Sequence, residues 1–167
     1  IHEPPLLFLD EPTAGVDPVS RRQFWNQIHL VASEGTTVLV TTHYMDEAER
    51  CHRLAFIFSG EVLAIGTPAE VVAARKLSIV EVDIDETVRA AECMREHAAV
   101  DEVTFLGSTV RVALRNVDEP EKVVERQLAT RNLRARALHL GRPNVEDAFV
   151  SMVRAEQRQG AGDGSST

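Results

Sequence analysis

Hydrophobic and polar positions along the first part of the chain predict two strands separated by a helix. Leu6–Leu9 is apolar at every position, and Thr36–Thr41 contains the apolar run Val38–Val40 between threonines; we predict both as strands buried on both faces. Between them, Asp17 and Pro18 suit the N-cap and the first position of a helix predicted to end at Gly35. Strand, helix and strand in this order predict a right-handed crossover and parallel pairing.

The next stretch predicts smaller elements. A short acidic helix over 45–51 is predicted to present a solvated face, formed by Asp46, Glu47 and Glu49. An antiparallel hairpin follows over 54–65, with Ser59-Gly60 as its turn. Thr67-Pro68-Ala69-Glu70 is a capping box with proline at the first helical position, so we predict a helix to about residue 75.

From residue 77 onward the pattern changes to half-buried strands. The predicted strands cover 79–84, 102–106, 109–114 and 133–138, and the predicted helices cover 87–97 and 120–130. The order strand-helix-strand-strand-helix-strand is that of a ferredoxin-like arrangement. Asn144 is predicted to cap a final helix, and the polar tail from 156 is predicted to be disordered.

Composition excludes several classes of protein. The chain has 167 residues, of which 44% are hydrophobic and 26% charged, which is typical of a globular protein. The net charge of −8 argues against nucleic acid as the main partner, because phosphate backbones are bound by basic surfaces. The two cysteines lack CxxC spacing and are predicted to be reduced thiols. No apolar run reaches the roughly 18 residues that a membrane span needs.

The candidate chemistry lies where the two predicted strands end. Asp10 and Glu11 follow the first strand, and His43 follows the second. Two adjacent ionised acids are costly to bury, so we place them at the exit of the strand. Because parallel strands have their carboxyl ends at one edge of a sheet, where ligands bind in open α/β sheets, these three side chains are predicted to converge there.

The sequences of both segments resemble motifs of one protein family. LLFLDEPTAGVDP is similar to the Walker B and D-loop segment of ABC-transporter ATP-binding subunits, and VLVTTHYMDEAERC is similar to their H-loop. The resemblance is strong over residues 6–72. It implies an α/β fold: the C-terminal part of a P-loop NTPase core with parallel strands (1–76), then a small α+β ferredoxin-like domain (77–155) and a disordered tail (156–167).

The resemblance also implies roles for individual residues. Asp10 would help to hold Mg²⁺, largely through water, and Mg²⁺ needs few protein oxygens. Glu11 would be the catalytic base that polarises the attacking water, and His43 would contact the γ-phosphate of ATP. Asp17 would belong to the D-loop at the nucleotide-binding interface. The local interpretation of Asp17, as the N-cap of the following helix, is compatible with that role.

At the level of function, the resemblance implies an ATPase subunit of an exporter. Two such subunits, expected to be a homodimer, would sandwich two Mg-ATP molecules at the cytoplasmic face of the membrane and drive a separate transmembrane permease. The phosphate-cradling GxxxxGK[ST] loop, the LSGGQ-type signature and the Gln loop are not found in the sequence. We therefore expect the chain to be the C-terminal part of a longer subunit and to be inactive alone, because the loop supplies most of the phosphate binding.

Two other functions remain open from the sequence. One is a non-enzymatic module in which residues 77–154 mediate dimerisation or regulation. The other is a soluble ABC-type ATPase of DNA repair or translation, against which the acidic composition and the similarity of PNVEDAFV to drug-export subunits argue.

Overall fold

The computed structural model describes the backbone of residues 4–163 and the side chains of residues 4–158. Within this range the chain divides after Ala48 into two compact units. The first unit contains two strands and two helices, and the second contains six strands and four helices in the described residues.

The first unit is a strand-helix-strand motif followed by one helical turn. Its elements are β1 (Leu6–Asp10), α1 (Pro18–Ser33), β2 (Thr37–Thr41) and α2 (Met45–Ala48). The two strands pair in parallel, as predicted, with Leu6 opposite Thr37 and Asp10 opposite Thr41. This register brings the carboxyl ends of both strands to the same level.

One prediction about these strands is wrong. They are not buried on both faces: Leu6, Phe8 and Leu39 are 44%, 66% and 54% exposed. Side chains alternate between the two faces of a strand, and in residues 4–48 the only helix longer than one turn is α1. The opposite face is therefore open and apolar, a feature that favours association.

Helix α1 begins as the sequence predicts. The carboxylate of Asp17 accepts hydrogen bonds from the amides of Val19 (3.0 Å) and Ser20 (3.1 Å), and Pro18 occupies the first helical position. The helix buries Trp25 and Ile28, so Trp25 is a core residue, as predicted.

The second unit begins with the predicted hairpin, formed by β3 (Leu54–Phe58) and β4 (Glu61–Gly66). Helix α3 (Pro68–Ala74) follows, and its capping box is formed by Thr67 and Glu70. Two contacts tie this part to the end of the chain: Phe56 packs on Phe149 with ring centroids 5.0 Å apart, and Arg75 donates to the Ser151 hydroxyl at 2.9 Å. The hairpin and α3 therefore lie in the second compact unit, whereas the sequence pattern predicted a boundary at residue 76.

The rest of the second unit is built on a four-stranded antiparallel sheet. Its elements are β5 (Leu77–Asp83), α4 (Thr87–Arg95), β6 (Val100–Leu106), β7 (Thr109–Arg115), α5 (Pro120–Ala129), β8 (Ala137–Gly141) and α6 (Val145–Asp163). The strand order is β6-β7-β5-β8. One face of the sheet carries Val80, Val82 and Val112, which form a core with Met94 of α4 and Leu128 of α5.

The last strand is displaced from its predicted position. It was predicted over 133–138, but β8 spans Ala137–Gly141 and pairs with β5. Leu133 and Ala135 do pack against the core, which explains the alternation in the sequence, yet they precede the paired strand. The alternating pattern therefore indicated which side chains are buried, but the segment before Ala137 packs on the core without pairing with the sheet.

The tail also differs from its prediction. Helix α6, whose cap by Asn144 was predicted correctly, continues to Asp163, through residues predicted to be disordered. Arg154 donates to the carbonyl oxygen of Asp101 at 2.7 Å and pairs with Glu102, and these contacts hold α6 against β6. Residues 164–167 of the predicted tail lie outside the described residues.

Among the residues described, no helix combines the length and apolar character needed to cross a membrane.

Candidate functional site

The acidic pair lies where the backbone leaves the sheet. Asp10 is the last residue of β1, and Glu11 follows it with φ 45°, in the left-handed region that non-glycine residues seldom adopt. The amide of Glu11 donates to the carbonyl oxygen of Thr41 at 3.1 Å, which anchors this conformation to the end of β2. Uncommon backbone conformations of this kind persist only where the surrounding structure determines them, and they are frequent at functional sites.

Glu11 and His43 are brought into direct contact. Oε2 of Glu11 lies 2.5 Å from Nδ1 of His43, although the two residues are 32 positions apart in the chain. Their side chains are 39% and 61% exposed, so both are accessible to a ligand. An exposed carboxylate that contacts an imidazole can accept or relay a proton, which is the chemistry of general acid–base catalysis.

Asp10 lies beside this pair. One of its carboxylate oxygens accepts a hydrogen bond from the hydroxyl of Thr41, the residue opposite it in the register. Across the described part of the chain, no three His, Cys, Asp or Glu side chains form a metal-binding group. A single exposed carboxylate is nevertheless compatible with Mg²⁺, which keeps most of its waters and binds to one or two protein carboxylates.

Asp17 is not part of the contact between Glu11 and His43. In the described residues its hydrogen bonds run to the first turn of α1, and the hydrogen bonds with Ser20 lower the pKa of its carboxyl. The helix-capping role is therefore confirmed, and the D-loop role remains a prediction.

Glu47 is the site residue that sequence reasoning missed. It was predicted to lie on a solvated face, but its side chain has no exposed surface. Its Oε1 accepts a hydrogen bond from the Thr13 hydroxyl and its Oε2 accepts one from the Thr42 hydroxyl at 2.7 Å. The signal in the sequence that could have indicated a buried Glu47 is the pair Thr13 and Thr42, which closely follow the two strands. Their hydroxyl groups are suitable hydrogen-bond donors to a buried acid.

The environment of Glu47 keeps its carboxyl ionised. Burial raises its pKa, but hydrogen bonds from Thr13 and Thr42, together with the nearby Trp25 and the charge of Arg21, outweigh burial, and the pKa lies below its ordinary value. Nε of Arg21 lies 3.6 Å from Oε1 of Glu47.

Arg21 also links this acid to the histidine. Its guanidinium lies 4.0 Å from the centroid of the Tyr44 ring, and that ring lies 4.1 Å from the ring of His43. Cation–π attraction of this kind orients both partners. The residues that follow β1 and β2 are thus joined by a continuous set of polar and aromatic contacts.

Comparison with known proteins identifies relatives of this chain. The chain is 56% identical over 68 residues to the probable multidrug ABC transporter ATP-binding protein YbhF of Escherichia coli strain K12, which covers 41% of the chain and 12% of YbhF. It is 34% identical over 154 residues to the daunorubicin/doxorubicin resistance ATP-binding protein DrrA of Streptomyces peucetius, covering 90% of the chain and 47% of DrrA. The Nod factor export ATP-binding protein I of Burkholderia pseudomallei strain 1710b is 34% identical over 159 residues, covering 93% of the chain and 49% of that protein. No protein-family model matches the chain.

The chain has an α/β fold, with an acidic pair and a histidine at the ends of parallel strands. The relatives found by comparison are ATP-binding proteins. The homologues of this chain are ABC transporter ATP-binding proteins, as the resemblance of its motifs implied. The chain spans about half the length of DrrA and of the Nod factor protein, and a smaller part of YbhF.

Proposed function

We propose that this chain forms part of the ATP-hydrolysing subunit of an ABC exporter. The observation that carries the proposal is the contact between Glu11 and His43 beside Asp10, at the carboxyl ends of two parallel strands. Ligands of open α/β sheets bind at this edge. Relatives named as a probable multidrug ABC transporter ATP-binding protein and as a daunorubicin/doxorubicin resistance ATP-binding protein give independent support.

In the proposed reaction each residue has a separate role. Glu11 accepts a hydrogen bond from the attacking water and orients it toward the γ-phosphate of ATP, and His43 contacts that phosphate. Asp10 would hold Mg²⁺, and the ion would neutralise negative charge on the phosphates of ATP. Asp17, in the D-loop, lies near the second nucleotide-binding subunit.

The direction of transport and the partners are inferred from the relatives. Their names refer to multidrug transport, to daunorubicin/doxorubicin resistance and to Nod factor export, and we assign export to this chain on that basis. The subunit would pair with a second copy and drive a separate transmembrane permease from the cytoplasmic face of the membrane.

The decisive experiment is the substitution Glu11→Gln in the complete subunit. The amide keeps the shape of the side chain but cannot act as a base, so ATP binding is expected to be retained while turnover falls by about 10²-fold or more. Glu34→Gln, the same change at an exposed position at the end of α1, is the control. Unchanged turnover in the Glu11 variant would remove this residue from its proposed role.

A second experiment tests what the 167-residue chain does alone. We expect calorimetry to detect no Mg-ATP binding, since the phosphate-cradling loop is not in this sequence. Binding that is weakened by Asp10→Ala would contradict this expectation and would mean that other residues of the chain hold the phosphates.

We also propose that residues 77–155 form a ferredoxin-like accessory domain. The strand order β6-β7-β5-β8 with antiparallel pairing supports this assignment, as does a core shared by α4, α5 and the sheet. Such a domain would stabilise the subunit dimer or regulate it. The mass in solution of the segment produced alone tests this: a folded dimer supports the association role, and an unfolded chain contradicts the domain boundary.

A further inference from the structure

Glu47 is a buried carboxylate that the proposed reaction does not use. Its side chain has no exposed surface, and an ionised acid in that position is costly unless hydrogen bonds and charges compensate it. Replacing such groups by apolar side chains often preserves or increases stability, so stability alone is a weak reason for an acid at this position.

The partners of Glu47 come from the two segments that carry the candidate reacting groups. Thr13 follows Glu11 in the turn after β1, and Thr42 directly precedes His43 after β2. Each carboxylate oxygen binds to one of the two hydroxyls, Oε1 to Thr13 and Oε2 to Thr42. The acid therefore joins the two segments through one rigid planar group.

A second route leads from Glu47 to the histidine ring. Arg21 faces the carboxylate at 3.6 Å and lies over the ring of Tyr44, which packs against the ring of His43. Loss of the carboxylate would leave Arg21 without this partner and would release its position over Tyr44. Both the backbone before His43 and the ring itself thus depend on the same acid.

We infer that Glu47 is a positioning residue that holds the segment after β1 against the segment after β2, so that Glu11 and His43 remain in contact. Its effect on catalysis rests on the proposed ATPase function. Displacement of a reacting group by about 1 Å can lower a rate by about 10²-fold, so a bridge of this kind has a measurable consequence.

The structural part of the inference is tested in the 167-residue chain by amide hydrogen exchange followed by NMR. In Glu47→Gln, the amides of Ala14 and Tyr44, which are bonded within the two segments, are expected to exchange about tenfold faster or more. The matched control is Asp46→Asn, which removes a charge from the adjacent exposed position and is expected to change neither amide.

Glu47→Gln is also expected to lower the stability of the whole unit, which accelerates exchange in the middle of α1 as well. The deciding readout is therefore the backbone order parameter of the folded state, measured by ¹⁵N relaxation. Lower order parameters at Ala14 and Tyr44, with unchanged values in the middle of α1, support the inference. Unchanged order parameters at both amides mean that Glu47 acts on general stability only and positions nothing, and this result overturns the proposal.

The catalytic part is tested in the complete subunit with Mg-ATP. Glu47→Gln is expected to lower kcat by about 10–100-fold and to leave KM within about twofold, because the defect lies in the placement of reacting groups. Thr13→Val and Thr42→Val should reproduce this loss, whereas Thr13→Ser and Thr42→Ser retain the hydroxyls and should retain activity. Equal kcat in Glu47→Gln and Asp46→Asn would overturn the catalytic consequence.

These experiments separate the two proposals. If the complete wild-type subunit fails to hydrolyse ATP, the proposed function is wrong, and the positioning role is then decided by the NMR order parameters alone. If it hydrolyses ATP and only the Glu47 comparison fails, the function stands and this inference is rejected.

Discussion

The stability of the first unit is expected to depend on the ionised form of Glu47. In Glu47→Gln, one threonine hydroxyl donates to a neutral carbonyl oxygen, and the other faces an NH2 group and must accept from it, so each of the two hydrogen bonds to the carboxylate is weakened at a cost of about 1 kcal/mol. The pairing with Arg21, whose side chain is 20% exposed, adds no more than about 1 kcal/mol. We expect a total loss of about 2–3 kcal/mol at neutral pH.

The dependence on pH follows from the lowered pKa of this carboxyl. Because the pKa in the folded state lies below the ordinary value of 4.5, the stabilisation is fully present above about pH 4.5 and is lost as the pH falls through the lower, folded-state pKa. Protonated Glu47 resembles glutamine. The difference between the wild type and Glu47→Gln should therefore shrink at acidic pH.

Trp25 makes this measurement specific. It is the only tryptophan of the chain and is buried in the first unit at 2% exposure, so its fluorescence during urea unfolding reports on that unit. Asp46→Asn, at an exposed position, is the control and should unfold like the wild type. A Glu47→Gln midpoint equal to that of the control, or a difference that stays constant below pH 4.5, would refute the reasoning.

Two further predictions concern the second unit. Gly141→Ala should destabilise it by about 1–3 kcal/mol, because a Cβ at this position in β8 would lie 2.8 Å from Cγ2 of Ile79; a urea midpoint equal to that of the wild type by circular dichroism would contradict this close approach. Met94→Ala should cost about 2–5 kcal/mol, since Met94 is fully buried in the core. Val88→Ala, on the same helix at 61% exposure, should change the free energy of unfolding by no more than about 0.5 kcal/mol. Equal losses of stability in the two variants would show that burial does not determine the loss.

Much of the fold could be predicted from local patterns. The cap of α1 by Asp17, the capping box at Thr67 and the hairpin turn at Ser59-Gly60 each depend on residues a few positions apart, so their geometry is encoded locally. The parallel pairing of β1 and β2 also followed from local order, because a strand-helix-strand connection leaves few alternatives.

Features that depend on distant partners were predicted less well. Apolar and polar residues alternate from Leu133 onward as they do in a strand, but pairing with β5 begins only at Ala137. The polar composition from residue 156 onward predicted a disordered tail, yet this segment is part of α6, and Nη1 of Arg158 lies 3.8 Å from Oδ1 of Asp101 on β6. Composition gives only the residue types of a segment. Whether the segment is ordered depends on the contacts that these residues make with other parts of the chain.

Local sequence was enough to identify the candidate groups: Asp10 and Glu11 after one apolar strand, His43 after the next, and the parallel order that brings the ends of these strands to one edge. The contacts of these groups depend on the tertiary structure: Glu11 contacts His43, Asp17 caps its own helix, and Glu47 is buried between Thr13 and Thr42. The reason is physical. An acidic residue on a short helix has the same local pattern whether it faces water or two hydroxyl groups. Burial of the Glu47 charge depends on Thr13, which is 34 positions away in the chain, as well as on the near neighbour Thr42.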